Sequence, residues 1–152
     1  VNARTRILGI DPGMVRIGLA ICDVERRVAS PLAVYTRKDD EQDAKCFRDL
    51  VEREEAGLLL IGLPMHTDGR EGVQAEAARA LGAKMQQWTG LPCVFWDERF
   101  TTRFAESELW SAGLTHRRRK ERRDKVAAQM LLQSYLESGC PVEHVAARPS
   151  SK

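Results

Sequence analysis

RILGIDPGMVRIGLAICD, residues Arg6 to Asp23, is the stretch on which the reading of this chain turns. Apolar residues alternate through RILGID (Arg6 to Asp11), the pattern of a strand with one face toward a core. Pro12-Gly13 then turns the chain. RIGLAICD (Arg16 to Asp23) begins a second strand so soon afterwards that the two predict an antiparallel hairpin. Each strand runs out into an aspartate. Ligand chemistry on α/β sheets collects at such strand ends, near the point where the winding reverses.

Downstream, VASPLAVY (Val28 to Tyr35) reads as a third strand, and Pro31, with no N–H to donate, assigns it to the sheet edge. Asp39 to Glu55 reads as a helix with Phe47, Leu50 and Val51 on one face. LLLIGL (Leu58 to Leu63) is apolar on both faces, as expected of a strand covered by helices on both sides. After a polar loop (Pro64 to Gly72), Val73, Ala77, Ala80, Leu81, Met85 and Trp88 trace a helical stripe that Gly90 closes. PCVFW (Pro92 to Trp96) gives a fifth strand. A helix is expected from Thr101 or Thr102 to Ala112 with a threonine as its cap, and a last one from about Arg123 to Glu137. Residues from about 143 to 152 read as a frayed tail. The order β-β-β-α-β-α-β-α-α predicts one α/β domain, a five-stranded mixed sheet with helices on both faces.

At 43% hydrophobic and 30% charged residues, the 152-residue chain is neither disordered, collagen-like nor a coiled coil. Its longest apolar stretch, Ala56 to Met65, falls far short of the roughly 20 residues that cross a bilayer. No apolar signal segment follows the first residues, so the expectation is a soluble, cytoplasmic protein with no membrane partner. Cys22, Cys46, Cys93 and Cys140 are too widely spaced for a zinc site, and Cys22 and Cys93 read as small buried hydrophobes. Arg117 to Arg123 (RRRKERR) packs six basic residues and one acid into a chain of net charge +2. That is the footprint of a phosphate-contacting segment, with a solvated charged loop as the plain alternative.

Four acidic groups stand out: Asp11, Asp23, the pair Asp97-Glu98, and Asp124. Strand one should be central and strand five parallel to it, so Asp11 and either Glu98 or Asp97 can meet at one edge. Side chains alternate across a strand, so only one of the pair can face Asp11. Asp124 is followed at helical spacing by Ala127, Ala128 and Leu131, which continue a buried stripe and let the helix approach the sheet. Each acid has an ordinary explanation: Asp-Pro-Gly starts a turn, and an acid suits a helix's first turn. Three acids aimed at one place, however, repel unless a cation lies between them. Oxygen-only ligands select Mg²⁺ or Mn²⁺. Two such ions form the clamp for in-line displacement at phosphorus, and the basic run would hold a nucleic acid backbone against it.

GIDPGMVRIGLAICD (Gly9 to Asp23), GLPMHTDG (Gly62 to Gly69), DERFTT (Asp97 to Thr102) and RRDKVAAQMLLQSYL (Arg122 to Leu136) resemble, in this order, the motifs of the YqgF/RuvX family. The resemblance implies an RNase H-like fold similar to that of the Holliday-junction resolvase RuvC. It implies a metal-dependent nuclease of pre-16S rRNA 5′-end maturation in ribosome biogenesis, or a resolvase of branched DNA. Carried over by motif, Asp11, Glu98 and Asp124 become the catalytic Mg²⁺ or Mn²⁺ ligands. Arg16, Arg99, Thr101, Arg117, Arg118, Arg119 and Lys120 become candidates for substrate contacts. The family's Gly-Lys-Val-Asp before the last helix is Arg-Arg-Asp here, with charge kept and the glycine lost. Met14-Val15 replaces a small-polar and basic pair.

Weaker candidates accompany these. Gly62, Asp68 and Gly69 could shape an anion-facing loop, or a plain Asp-Gly turn. His66 reads as solvent-facing, and Trp88, Trp96 and Trp110 as core residues. A non-catalytic nucleic-acid-binding module of the same fold is the rival class. The sugar-kinase/actin group needs two domains around a nucleotide and is set aside. A symmetric junction substrate would favour a homodimer.

Overall fold

The structure is a computed structural model of the chain and describes residues 5–13, 15–100 and 116–141, with the backbone alone for residues 100 and 116–122. Strands β1 (Arg6–Asp11), β2 (Arg16–Cys22), β3 (Ala29–Thr36), β4 (Ala56–Leu63) and β5 (Cys93–Asp97) form one sheet in the order β3-β2-β1-β4-β5. The first three strands are antiparallel neighbours, whereas β1–β4 and β4–β5 pair in parallel. The sheet is therefore mixed, with β1 at its centre and the proline-bearing β3 at an edge.

Strand alternation sorts the side chains into two cores. On one face, Leu8, Ile10, Ile17, Leu19, Leu59 and Ile61 pack under helices α1 (Asp40–Arg53) and α2 (Val73–Thr89). On the other, Ile7, Ala20, Leu60, Val94 and Trp96 pack under helix α3 (His116–Glu137) through Ala128, Leu131, Leu132 and Tyr135. Trp96 meets the Tyr135 ring edge-on at 5.3 Å and donates its indole N–H to Ser134 at 3.1 Å. Edge strand β3 is tied to the same helix, because the Ala29 N–H donates to Gln133 (2.8 Å) and Gln129 donates to the Ala29 carbonyl (3.1 Å). Such ties satisfy the polar groups of a strand that has a neighbour on one side only. Asp39 caps α1 by accepting the Gln42 N–H at 2.8 Å.

Two expectations are corrected. The last helix begins at His116, not near Arg123, so the basic run lies on the helix rather than ahead of it. Charged residues with long unbranched side chains are good helix formers, yet a segment without an apolar stripe gives no periodic signal of its start. The buried stripe of α2 is Ala75, Ala78, Leu81, Gly82 and Met85, whereas Val73, Ala77 and Ala80 are exposed. Small residues let this helix lie close to the sheet, and the larger Val73 is turned outward, 81% exposed. Gly90 does end α2, with φ +74°.

The expected helix after Thr101, with Trp110, and the tail lie outside the described residues. Cys22 and Cys93 are buried, and all four cysteines are free thiols. Trp88 stacks on Phe47 against the core. Among the described residues no helix is long and apolar enough to cross a membrane.

Candidate active site

Asp11 is the last residue of the central strand and pairs with Gly18 of β2. By parity it shares a face with Ile7, and so it points to the side covered by α3. Glu98 follows β5 and opens the short 3₁₀ turn Glu98–Phe100. It continues the parity of Val94 and Trp96, which are on that same side. Alternation thus settles which member of the Asp97-Glu98 pair meets Asp11: the Glu98 carboxyl is hydrogen-bonded to it. Gly62 of β4 lies between them in the sheet, and a Cβ there would stand 2.5 Å from Oε2 of Glu98. The glycine makes the room in which the carboxylate sits.

Burial pushes the Asp11 carboxyl up to about 8, reinforced by the charge of Glu98, the hydrogen bond to it and the charge of Asp124. Burial raises Glu98 as well, and the adjacent Asp97 adds to the rise. Both shifts favour the protonated form over that of an isolated carboxylate. A hard divalent cation can replace a proton there, and the donor set is all oxygen. In that respect the residues fit Mg²⁺ or Mn²⁺.

Asp124 reaches this edge because α3 crosses β2 at Gly18, where a Cβ would overlap the Asp124 carbonyl oxygen and meet Ala128 at 3.5 Å. Its carboxylate is near enough to act on Asp11 but is engaged by Arg16, whose Nε lies 3.1 Å from Oδ2. Among the described residues no three His, Cys, Asp or Glu side chains close around one point. The structure thus assembles Asp11 with Glu98 and leaves Asp124 alongside, paired to Arg16.

Arg99 does not reach the pair. Its backbone N–H and its guanidinium Nε and Nη2 donate to the Asp97 carboxylate at 2.6–3.1 Å, and Nη1 donates to the Thr67 carbonyl at 3.3 Å. These bonds fasten the turn that carries Glu98. The 64–72 loop is likewise closed on itself: Asp68 accepts from the Arg70 N–H and Nε, and His66 is exposed. Asp23 accepts the Arg27 and Val28 N–H groups in the turn after β2, at the far end of the sheet. Thr101 and the side chains of Arg117, Arg118, Arg119 and Lys120 lie outside the described residues, but the backbone of residues 117–120 belongs to the helix that delivers Asp124.

The sequence reading missed Arg37, Val73, Gln74 and Ala77. They line a cleft of about 420 Å³ that also includes Asp11 and Glu98. Arg37 is held by Asp43, a fully buried carboxylate that accepts from Tyr35 Oη (2.6 Å), the Lys38 N–H (2.9 Å) and Arg37 Nε (3.3 Å). Burial alone would raise Asp43, but these donors hold it below the usual range. An acid on the apolar side of α1, next to Phe47, was the available signal.

Comparison with known proteins gives the family and the fold. Residues 5–138 match the family model described as RuvX, Holliday junction resolvase. A Rhodopirellula baltica protein named "Putative pre-16S rRNA nuclease" is 42% identical over 136 residues, covering 90% of this chain and 79% of the relative. A protein of the same name from Methylocella silvestris is 39% identical over 137 residues, covering 90% and 85%. Among solved structures, Thermus thermophilus RuvC in complex with a Holliday junction substrate superposes with a TM-score of 0.57 at 16% identity, covering 89% of this chain and 96% of that one. Fowlpox virus resolvase in complex with Holliday junction DNA gives 0.54 at 10% identity, covering 90% and 99%. These two share the fold, which is the RNase H-like one. The match over residues 5–138, with relatives near 40% identity along most of their length, makes this chain a member of the RuvX family of nucleases.

Proposed function

We propose that the protein is a divalent-metal-dependent phosphodiester hydrolase that trims the 5′ end of pre-16S rRNA in the cytoplasm during ribosome biogenesis. The observation that carries the reading is the pair Asp11–Glu98, brought together at the edge of the sheet by β1, β5 and the space at Gly62, where burial pushes the Asp11 carboxyl up to about 8 and raises Glu98 as well. Asp11 and Glu98, with Asp124 beside them, would hold Mg²⁺ or Mn²⁺. When bound, such cations supply an activated water and stabilise the leaving oxygen of an in-line displacement. The residues of the chain do the rest. Asp11 and Glu98 give up their shared proton on binding the cation, Arg16 holds Asp124 at the edge, and Arg99 fixes the turn on which Glu98 rides. The basic run on α3 neutralises phosphates of the bound strand.

RNA is preferred because the relatives near 40% identity carry the rRNA nuclease name. Cleavage of branched DNA is the second reading, favoured by the description of the family. A side-by-side assay with precursor rRNA and a four-way DNA junction, each with and without Mn²⁺, separates them. Manganese-dependent cleavage of the RNA alone is the expected result. Cleavage of the junction alone would reverse the assignment, and cleavage of neither would remove it.

A further inference from the structure

The cleft beside the carboxylate pair has a chemistry that metal binding does not explain. Its walls are largely aliphatic, formed by Pro12, Pro64, Val73, Ala77 and Leu81, and its volume of about 420 Å³ lies in the range of small-ligand pockets. Val73 is the most exposed large hydrophobic side chain among the described residues, at 81%. With the other aliphatic residues it gives the cleft an apolar lining that stands open to solvent. The acidic end, Asp11 and Glu98, repels a phosphate, and the guanidinium of Arg37 on the opposite lining is already engaged by Asp43. The occupant is therefore flat or compact, largely apolar and uncharged, and on the nuclease reading it belongs to a molecule whose phosphate meets the carboxylates only through the cation they would hold.

We propose that this cleft receives the base of one unpaired nucleotide adjoining the scissile phosphate, so that the substrate is cut in an unpaired stretch. This rests on the nuclease reading above. A base within a helix offers a protein only its edge and its backbone, and neither fills an aliphatic cleft, whereas a splayed base can enter and hide its faces. The side-chain amide of Gln74 on the same wall carries a donor and an acceptor, the pair needed to meet a base edge.

The test is an abasic scan on a single-stranded oligoribonucleotide spanning the cut site, with one base removed at each position in turn. Binding is followed by fluorescence anisotropy in EDTA, and cleavage separately in Mn²⁺. One position beside the cut should weaken binding by about tenfold, the scale of one buried apolar group, while the others change little. Ala77→Phe and Val73→Trp, both at exposed helix positions, should fill the cleft, weaken the intact oligomer by a similar factor and abolish the sensitivity to that one position. Melting temperatures close to wild type show that both variants fold. If every abasic oligomer binds and is cut like the intact one, the base pocket is overturned and the nuclease reading stands. If no oligomer is cut but one position still controls binding, the pocket stands and the nuclease reading falls. Absence of both binding and cutting overturns both.

Discussion

The carboxyl groups of Asp11 and Glu98 share a hydrogen bond, which two ionised carboxylates cannot make. Burial and the neighbouring carboxylates favour a proton on this pair, and protons and divalent ions compete for the same oxygens. Asp11 has a folded pKa of about 8 against an ordinary 3.8, so the folded chain holds a proton that the unfolded chain releases. The associated stability is fully present below about pH 3.8 and is lost as pH rises through about 8. In a chelator, the melting temperature should fall across that window, and Asp11→Asn should flatten most of the fall. A wild-type melting temperature that rises with pH over this window would contradict the shared proton.

Binding of Mg²⁺ or Mn²⁺ should strengthen from pH 6 toward pH 8 and release protons, as calorimetry in buffers of different ionisation enthalpy would show. Asp11→Asn and Glu98→Gln should each lower cleavage by at least about a hundredfold while the fold persists. Equal metal affinity at both pH values would place the ion elsewhere.

Gly18 and Gly62 make room for different things, and their alanine variants should fail differently. At Gly18 a Cβ meets backbone, so Gly18→Ala should destabilise by about 1–3 kcal/mol through displacement of α3. At Gly62 it meets the end of the Glu98 side chain and Leu131 Cδ2, which can shift. Gly62→Ala should therefore lose activity out of proportion to its loss of stability. Melting curves and single-turnover rates on both variants decide this, and equal ratios of the two losses would refute it.

Arg99 is expected to act through Glu98 and not through the substrate. Arg99→Ala should reduce kcat by about 10–100-fold and leave KM and its salt dependence nearly unchanged. Arg99→Lys should rescue little, because one ammonium cannot reproduce the several donors that meet Asp97. A shallower salt dependence in Arg99→Ala would restore the phosphate contact.

Helical spacing puts positions 117 and 120 on the side of α3 that carries Asp124, and positions 118 and 119 away from it. Replacing Arg117 and Lys120 by glutamine should lower RNA affinity and reduce the salt slope by about 0.7–0.9 for each phosphate no longer neutralised. The same change at Arg118 and Arg119 should do less. Equal effects from both pairs would mean a diffuse field and no oriented grip on the strand.

The sequence showed the sheet well because its evidence is local. Alternation ends at Asp11, β4 is apolar on both faces, and Pro31 marks the edge. Asp11 was legible for the same reason, since it ends an apolar strand, whereas alternation left Asp97 and Glu98 open and Glu98 came from the resemblance to the family motif. Other features depend on partners distant in the chain. Arg16 could not be assigned to Asp124 before the packing of α3 at Gly18 was known. Arg99 was read as a candidate for a substrate contact, and nothing in its spacing announced the pairing with Asp97 two residues before it. The stripe of α2 was misplaced because alanine fits inside and outside equally well, so Ala77 and Ala78 could not be told apart.

The helix that bears Asp124 also bears the basic run, with no break between them. From Arg117 to Asp124 is about 10 Å of rigid rod at 1.5 Å per residue. If the basic run grips the strand and Asp124 serves the cut, as proposed, the two keep a constant spacing and the α3 rod works as a ruler, so lengthening it by one full turn should move the scission point while leaving the chemistry alone.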